Sequence, residues 1–311
     1  MSTAKEKATR NGDCLTYIIR KEDEELRIKE ILRRRLHFSS RLMRRLKVEN
    51  GVMLNDEVAK LYIQVKEGDV VSVFMPKETS GFEPEDIPIT VLYEDDDLLL
   101  INKQPGHVVH PTKGHVNHTI ANGVMRYMID TDQSFKIRFI NRLDMDTSGV
   151  LAIGKNSHCQ DDFFRQTEQD KVEKKYVAVV RGIIAEDKGT IDLPIDLEQE
   201  NHVRRAVVEG GYPSVTHYRT LARYKSGYTM VELSLETGRT HQIRVHMAHI
   251  GHPIVGDVLY GVPEEELITR QALHAVSLGF YHPVTGEAMK VEAPLPEDMQ
   301  QLLEKLGDKY E

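Results

Sequence analysis

Cysteine is scarce in this chain. Only Cys14 and Cys159 occur in 311 residues, which is too few for a disulfide framework and implies reduced thiols. No apolar stretch approaches the roughly 18 residues of a membrane span. The start, Met-Ser-Thr-Ala-Lys-Glu-Lys, lacks the apolar centre of a signal peptide. A cytoplasmic protein is therefore expected. No phosphate-binding G-x-x-x-x-G-K loop and no G-x-G-x-x-G turn is present, so no nucleotide cofactor is expected. Internal repeats and low-complexity tracts are also missing. What remains is the composition of a folded globular protein, 40% hydrophobic and 29% charged, with length enough for two domains.

The net charge of −8 argues at first against a nucleic-acid partner. Its distribution argues the other way. Residues 27–47 hold nine Arg or Lys against one acid, Glu30, a local +8, so the remainder carries −16. Phosphates respond to the local patch, within a screening length of about 8 Å. Ile28, Ile31, Leu32 and Leu36 recur at helical spacing, and Ser39 or Ser40 is a suitable N-cap for a second helix carrying Leu42, Met43 and Leu46. Arg33, Arg34, Arg41, Arg44 and Arg45 then become the candidate RNA contacts. The alternative is a solvated helix face. Residues 15–19, 51–55, 60–65 and 69–74 read as short strands. Residues 1–13 read as a flexible tail, and the acidic, proline-containing stretch 76–88 as a linker.

The larger part of the chain is strand-rich. Two strands around an acidic turn are predicted over 91–103, with others at 173–182, 189–193, 214–224 and 228–236. Helices are predicted over 119–128, 157–169 and 241–250, the last ending at Gly251. This mixture predicts an α+β fold. The catalytic domain would be a largely antiparallel mixed β-sheet flanked by helices, preceded by a small α/β domain. The boundaries read as 1–13 tail, 14–75 small domain, 76–88 linker, 89–300 large domain and 301–311 C-terminal tail.

Three segments carry chemistry. The first is Asn141-Arg-Leu-Asp-Met-Asp-Thr-Ser-Gly149, followed by the apolar Val150–Ile153. Alternation puts Arg142 and Asp144 on one face and Leu143 on the other. Asp-Thr-Ser-Gly is turn chemistry, which holds a carboxylate at the mouth of a buried strand. Asp144 is then either a nucleophile or merely a turn cap. The second is Glu236-Thr-Gly-Arg-Thr-His-Gln-Ile-Arg-Val-His246. Here Thr240 is a candidate helix cap, and Arg239 sits beside the positive end of a helix dipole, where it needs an acid or solvent. Asp144 is a candidate for that acid. The third is the strand Glu173–Gly182, apolar on both faces and hence central; its Tyr176 is open to a core or a site reading. Two histidine clusters (107, 110, 115, 118 and 241, 246, 249, 252) lack a His-Glu-x-x-His motif, and no metal is expected.

The first segment resembles the RluA/RluD family of pseudouridine synthases, whose signature is His-Arg-Leu-Asp-x-x-Thr-Ser-Gly; Asn141 stands in place of the histidine. The second is similar to the family's Thr-Gly-Arg-x-His-Gln-x-Arg-x-His. His110-Pro111, Gly251–Gly261, Leu273–Ala275 and Glu292–Pro296 match as well, so the resemblance spans most of 15–300. The two basic helices with short strands look like the S-four RNA-binding domain. The resemblance implies detachment of uracil from ribose carbon 1′, its rotation, and rejoining through carbon 5, with no cofactor. It assigns Asp144 as nucleophile, toward ribose or base, and Arg239 as its pairing cation. Tyr176 is the aromatic against the uracil, a candidate for removing the carbon 5 proton. Arg142 and His110 are substrate-binding. Large-subunit ribosomal RNA is the implied partner, with transfer RNA as the other option and a monomer as the expected state. The competing readings are a non-catalytic RNA-binding factor and a metal-dependent hydrolase.

Overall fold

A computed structural model describes residues 8–112, 114–199 and 203–310. The chain builds two sheets, each with its own apolar interior. The first unit comprises β1 (Thr9–Asn11), β2 (Cys14–Ile18), α1 (Ile28–Arg34), α2 (Ser40–Glu49), β3 (Val52–Leu54), β4 (Glu57–Val58) and β5 (Val70–Phe74). Its strands run in the order β1-β2-β5-β3-β4. Helix α2 starts where Ser39 Oγ accepts the Leu42 amide at 3.3 Å and stops at Asn50, which is left-handed. Leu42, Met43 and Leu46 bury against Ile28, Ile31 and Leu32 of α1. The arginines are thereby forced outward.

The second unit comprises β6 (Thr90–Glu94), β7 (Leu98–Lys103), α3 (Ile120–Asp130), β8 (Arg138–Phe139), β9 (Ser148–Gly154), α4 (Ser157–Glu168), β10 (Glu173–Arg181), β11 (Lys188–Asp192), β12 (Ile195–Leu197), β13 (Arg205–Val207), β14 (Val215–Tyr224), β15 (Tyr228–Leu235), α5 (Gln242–His249), β16 (Leu273–Tyr281), β17 (Ala288–Glu292) and α6 (Glu297–Leu306). The sheet order is β11-β14-β15-β10-β16-β9-β7-β6, with β17 on β16 and β8 on β9; β12 and β13 form a separate ribbon. Every named pairing is antiparallel except β9 with β16. The middle of the sheet is covered on both faces. Leu99 and Ile101 of β7 and Leu151 and Ile153 of β9 join one apolar cluster, while their neighbours Leu98, Leu100, Val150 and Ala152 join another. Full burial of such side chains contributes about 1.5–3 kcal/mol each. The architecture is the expected mixed α+β fold.

Several expected boundaries are corrected. Residues 1–7 of the expected tail lie outside the described residues, and residues 9–11 pair with β2. Residues 60–65 are not a strand, because their carbonyls bond the start of α1 instead: Ile63 O accepts the Ile28 amide and Leu61 O the Lys29 amide, both at 2.9 Å. The segment from 301 is not a tail. Leu302 and Leu306 lie on α6 and are buried in the main core. The 76–88 stretch has no regular structure and is tethered to the second unit; Ser80 Oγ accepts the Ile137 amide and Glu78 pairs with Arg138. The two units touch where the Gly12 amide bonds Asp96 at 2.8 Å and Arg10 meets Asp97 at 3.3 Å. Among the described residues no helix is long and apolar enough to cross a membrane.

Candidate active site

The site is built where β9 begins. Register sets Gly149 opposite Lys103 of β7 and Ala275 of β16. Gly149 has φ +113°, and a Cβ there would stand 2.2 Å from the Ala275 carbonyl oxygen. Only glycine lets the turn feed so tightly between two strands. Gly149→Ala is therefore expected to cost at least about 3 kcal/mol, combining backbone strain with a clash that only backbone movement relieves. Denaturant unfolding would measure it.

The turn is fixed by two basic side chains, Lys103 and Arg270. Buried Lys103 donates to the carbonyls of Gln104, Met145 and Thr147 at 3.0, 2.7 and 3.0 Å. Arg270 donates to the Asp146 carbonyl at 3.0 Å and is itself held two-fold by Asp298. Burial pushes the Lys103 pKa down to about 7, opposed by the charges of Asp146 and Asp144. Asn141 bridges β9, donating to Val150 O at 3.0 Å and accepting from the Ala152 amide at 2.8 Å. It thus completes strand hydrogen bonding in the position where the family signature has histidine.

Leu143 points into the core, and Asp144 faces the other way, half-buried. The backbone carbonyl of Asp144, not its side chain, closes the turn by accepting the Thr147 amide at 3.1 Å. Its carboxylate is thus left for other work. Oδ2 accepts from Arg244 Nη1 at 3.2 Å, and His241 Nε2 lies 3.9 Å away. Arg244 is clamped from its other side by Asp257, Nε to Oδ2 at 2.7 Å and Nη2 to Oδ1 at 2.9 Å, and lies over the Tyr260 ring. It is 7% exposed and Asp257 fully buried. Burial works against the guanidinium charge, but the bonds and charges of Asp257 and Asp144 outweigh it and hold the pKa above its ordinary value. Burial lowers the His241 pKa, so its ring is neutral near pH 7. The Tyr260 hydroxyl accepts the Arg205 amide and bonds His241 Nδ1 at 2.9 Å.

Tyr176 is buried on β10, paired on both sides by β15 and β16. It lines a recess of about 60 Å³ shared with Asp144, Leu235 and Leu273. Burial, and then the Asp144 charge, push its pKa up, so the hydroxyl stays protonated at neutral pH. The recess adjoins a cleft of about 1010 Å³ that includes Asp144, Arg142, Lys136 and His110. His110 is held between Phe82 and Phe139, with ring centroids 5.4 and 6.2 Å away. Arg142 is exposed at the cleft and makes no ion pair among the described residues.

The expected pairing of Asp144 with Arg239 is not formed. Arg239 lies at the rim of the recess, exposed, donating to Pro213 O at 3.3 Å and stacked over Tyr212. The pairing cation is Arg244, five residues on. Thr240 is no cap either; His241, left-handed at φ 58°, precedes α5, and Gln242 Oε1 secures the loop by accepting from Thr237 Oγ1 and the Arg239 amide. Sequence reading also missed Asp257, Tyr260, Lys103 and Arg270. A signal for Arg244 was its place between Ile243 and Val245, where an arginine needs a buried acid. The expected basic contacts divide. Arg41 and Arg45 border the cleft, although Arg45 is paired with Glu49 and Glu78. Arg33, Arg34 and Arg44 face elsewhere, with Arg34 paired to Glu30. The histidine clusters do not gather. Among the described residues the one group of three potential metal ligands is Asp95, Asp97 and His282, outside both clusters. His282 Nε2 bonds Asp95, and its Nδ1 accepts the Val284 and Thr285 amides.

Comparison with known proteins places the fold. The model of the family described as RNA pseudouridylate synthase matches residues 97–249, which hold Asp144, Tyr176 and Arg244. The chain is 42% identical over 264 residues to the uncharacterized RNA pseudouridine synthase YlyB of Bacillus subtilis (strain 168), covering 83% of this chain and 87% of that one. It is 39% identical over 275 residues to the ribosomal large subunit pseudouridine synthase D of Pasteurella multocida (strain Pm70), covering 84% and 83%. The solved structure of human RNA pseudouridylate synthase domain containing 1 superposes with a TM-score of 0.56 at 27% identity, over 70% of this chain and 94% of that one. With the fold, the turn and these relatives in agreement, this chain belongs to the RluA/RluD family of RNA pseudouridylate synthases and is an enzyme that converts uridine in RNA to pseudouridine.

Proposed function

We propose that the chain modifies large-subunit ribosomal RNA, with Asp144 as its nucleophile. The observation that carries the mechanism is the orientation of Asp144. Its backbone closes the turn while its carboxylate faces Arg244 and the recess of Tyr176. A uridine inside a helix cannot reach this recess, so it flips out at a cost of a few kcal/mol. The cleft around the recess has room for more than the flipped base, and Arg142 and His110, which line it, hold its phosphate and neighbours in this reading. Asp144 attacks the nucleotide and the bond from N1 to carbon 1′ breaks. The uracil turns, carbon 5 bonds to carbon 1′, the bond between Asp144 and the nucleotide breaks so that the carboxylate is restored, the carbon 5 proton leaves to solvent, and N1 gains a proton. Arg244, backed by Asp257, keeps the carboxylate ionised and aimed. Tyr176, protonated, supplies the stacking plane.

Tyr176→Leu is expected to lower kcat/KM about 5- to 150-fold, the worth of one base–aromatic stack of about 1–3 kcal/mol. Steady-state tritium release would read it. Residues 14–75 form the RNA-binding unit, with Arg33, Arg34, Arg41, Arg44 and Arg45 toward phosphates. One copy carries the whole Asp144, Tyr176 and Arg244 set, so a monomer acting in the cytoplasm suffices. The choice of ribosomal RNA rests on the name of the Pasteurella relative. It is tested by incubating the enzyme with unmodified large-subunit ribosomal RNA and with bulk transfer RNA, then mapping pseudouridines by chemical adducts that stop primer extension. New stops in the ribosomal RNA alone are expected; stops in transfer RNA alone would refute the assignment.

A further inference from the structure

Helix α2 is a wall with two working faces. Arg41 and Arg45, four apart, turn toward the catalytic cleft. Arg44 and Lys47, three apart, turn away from it and border a second groove of about 490 Å³. That groove belongs to the first unit alone. Its rim carries Arg27, Lys29, Arg44, Lys47 and Lys60, and among the described residues no acid lines it. Lys29, Arg44 and Lys47 make no ion pair among the described residues. Its floor is apolar, formed in part by the buried Met43 and Leu46. At its edge stands Tyr62, 72% exposed. The loop holding Tyr62 is firmly seated. Leu61 and Ile63 on either side pack against the core and accept the Lys29 and Ile28 amides. An aromatic held outward by a rigid loop beside an apolar floor and a ring of cations is the arrangement that stacks a base while neutralising its phosphates.

We propose that this groove binds an unpaired nucleotide of the substrate RNA, its base stacked on Tyr62 and its phosphates held by Arg44, Lys47 and Lys29. The inference rests on the reading of the first unit as the RNA-binding unit and gives it a specific subsite. RNA whose target uridine is in the cleft crosses α2 and places a second unpaired base on the far side. The enzyme thereby selects RNA with two single-stranded elements flanking the helix. Charge complementarity favours RNA over a neutral partner, and the stacking edge favours a base over an acidic peptide.

The test uses the full chain and a short single-stranded oligoadenylate, which offers the catalytic cleft no uridine, beside an RNA duplex of the same length. Tyr62→Ala is expected to weaken oligoadenylate binding about 10- to 100-fold and to leave the duplex and the salt slope unchanged. Tyr62→Phe should bind as the wild type does. Lys47→Ala should instead lower the salt slope by about 0.7. Tyr62 is exposed, so its truncation removes no core contact. Equal oligoadenylate binding by Tyr62→Ala, equal losses on strand and duplex, or competition by polyglutamate as effective as RNA would each overturn the proposal. So would a wild-type chain that does not bind oligoadenylate; the synthase reading would still be judged separately, by tritium release from ribosomal RNA.

Discussion

Arg244→Met is expected to destabilise the protein by about 3–5 kcal/mol and to remove nearly all turnover, because it leaves the buried carboxylate of Asp257 and the half-buried one of Asp144 without their cation. Asp257 is fully buried and gives Arg244 its two strongest bonds, 2.7 and 2.9 Å. Asp144 shares the same guanidinium at 3.2 Å. Losing it exposes Asp144 to rotation away from the recess as well as to the lost charge. Arg239→Ala is the matched control. Among the described residues that side chain bonds Pro213 O and lies over the Tyr212 ring, with no ion pair, and exposed contacts of this kind contribute within about 1 kcal/mol. Urea unfolding and single-turnover tritium release on the two variants separate the roles. Equal losses in both would contradict the assignment of Arg244 as the pairing cation.

Asp144→Asn is expected to keep the fold and lose turnover by about 10³-fold or more, the scale on which removing a nucleophile acts. Arg244 keeps its two-point bond to Asp257 in this variant, and the turn is closed by the backbone of residue 144, which asparagine retains. Unfolding free energy should stay within about 1 kcal/mol of the wild type. RNA binding should persist, since the amide is of the same size and the cations of the cleft are untouched. A variant that is inactive and also unfolded would point to a structural carboxylate rather than a nucleophile.

Much of this was legible in the residues. Alternation placed Leu143 inward and Asp144 outward, and Asp-Thr-Ser-Gly located the turn that the geometry of Gly149 demands. The stripe of α2 was visible in spacing, and its cap was narrowed to Ser39 or Ser40, of which the structure uses Ser39. The doubly apolar 173–182 strand is central because it is paired on both sides. What was not legible depends on distant partners. Arg239 and Arg244 share one short segment, and their roles are decided by the left-handed turn at His241 and by Asp257, which lies beyond the helix. Residues 60–65 alternate like a strand in Leu61, Ile63 and Val65, but the free amides of α1 capture their carbonyls. Residues from 301 were read as a tail although Met299, Leu302 and Leu306 recur at helical spacing; the place of α6 in the core, bonded through Asp298 to Arg270, is a tertiary fact.

The most direct test of the account is tritium release from large-subunit ribosomal RNA labelled at carbon 5 of uridine, with wild type and Asp144→Asn side by side. Release by the wild type, and none by the variant while it still binds the RNA, is the predicted result. Equal release by both proteins would contradict Asp144 as the nucleophile, and no release by a wild type that binds the RNA would contradict the assignment of this substrate.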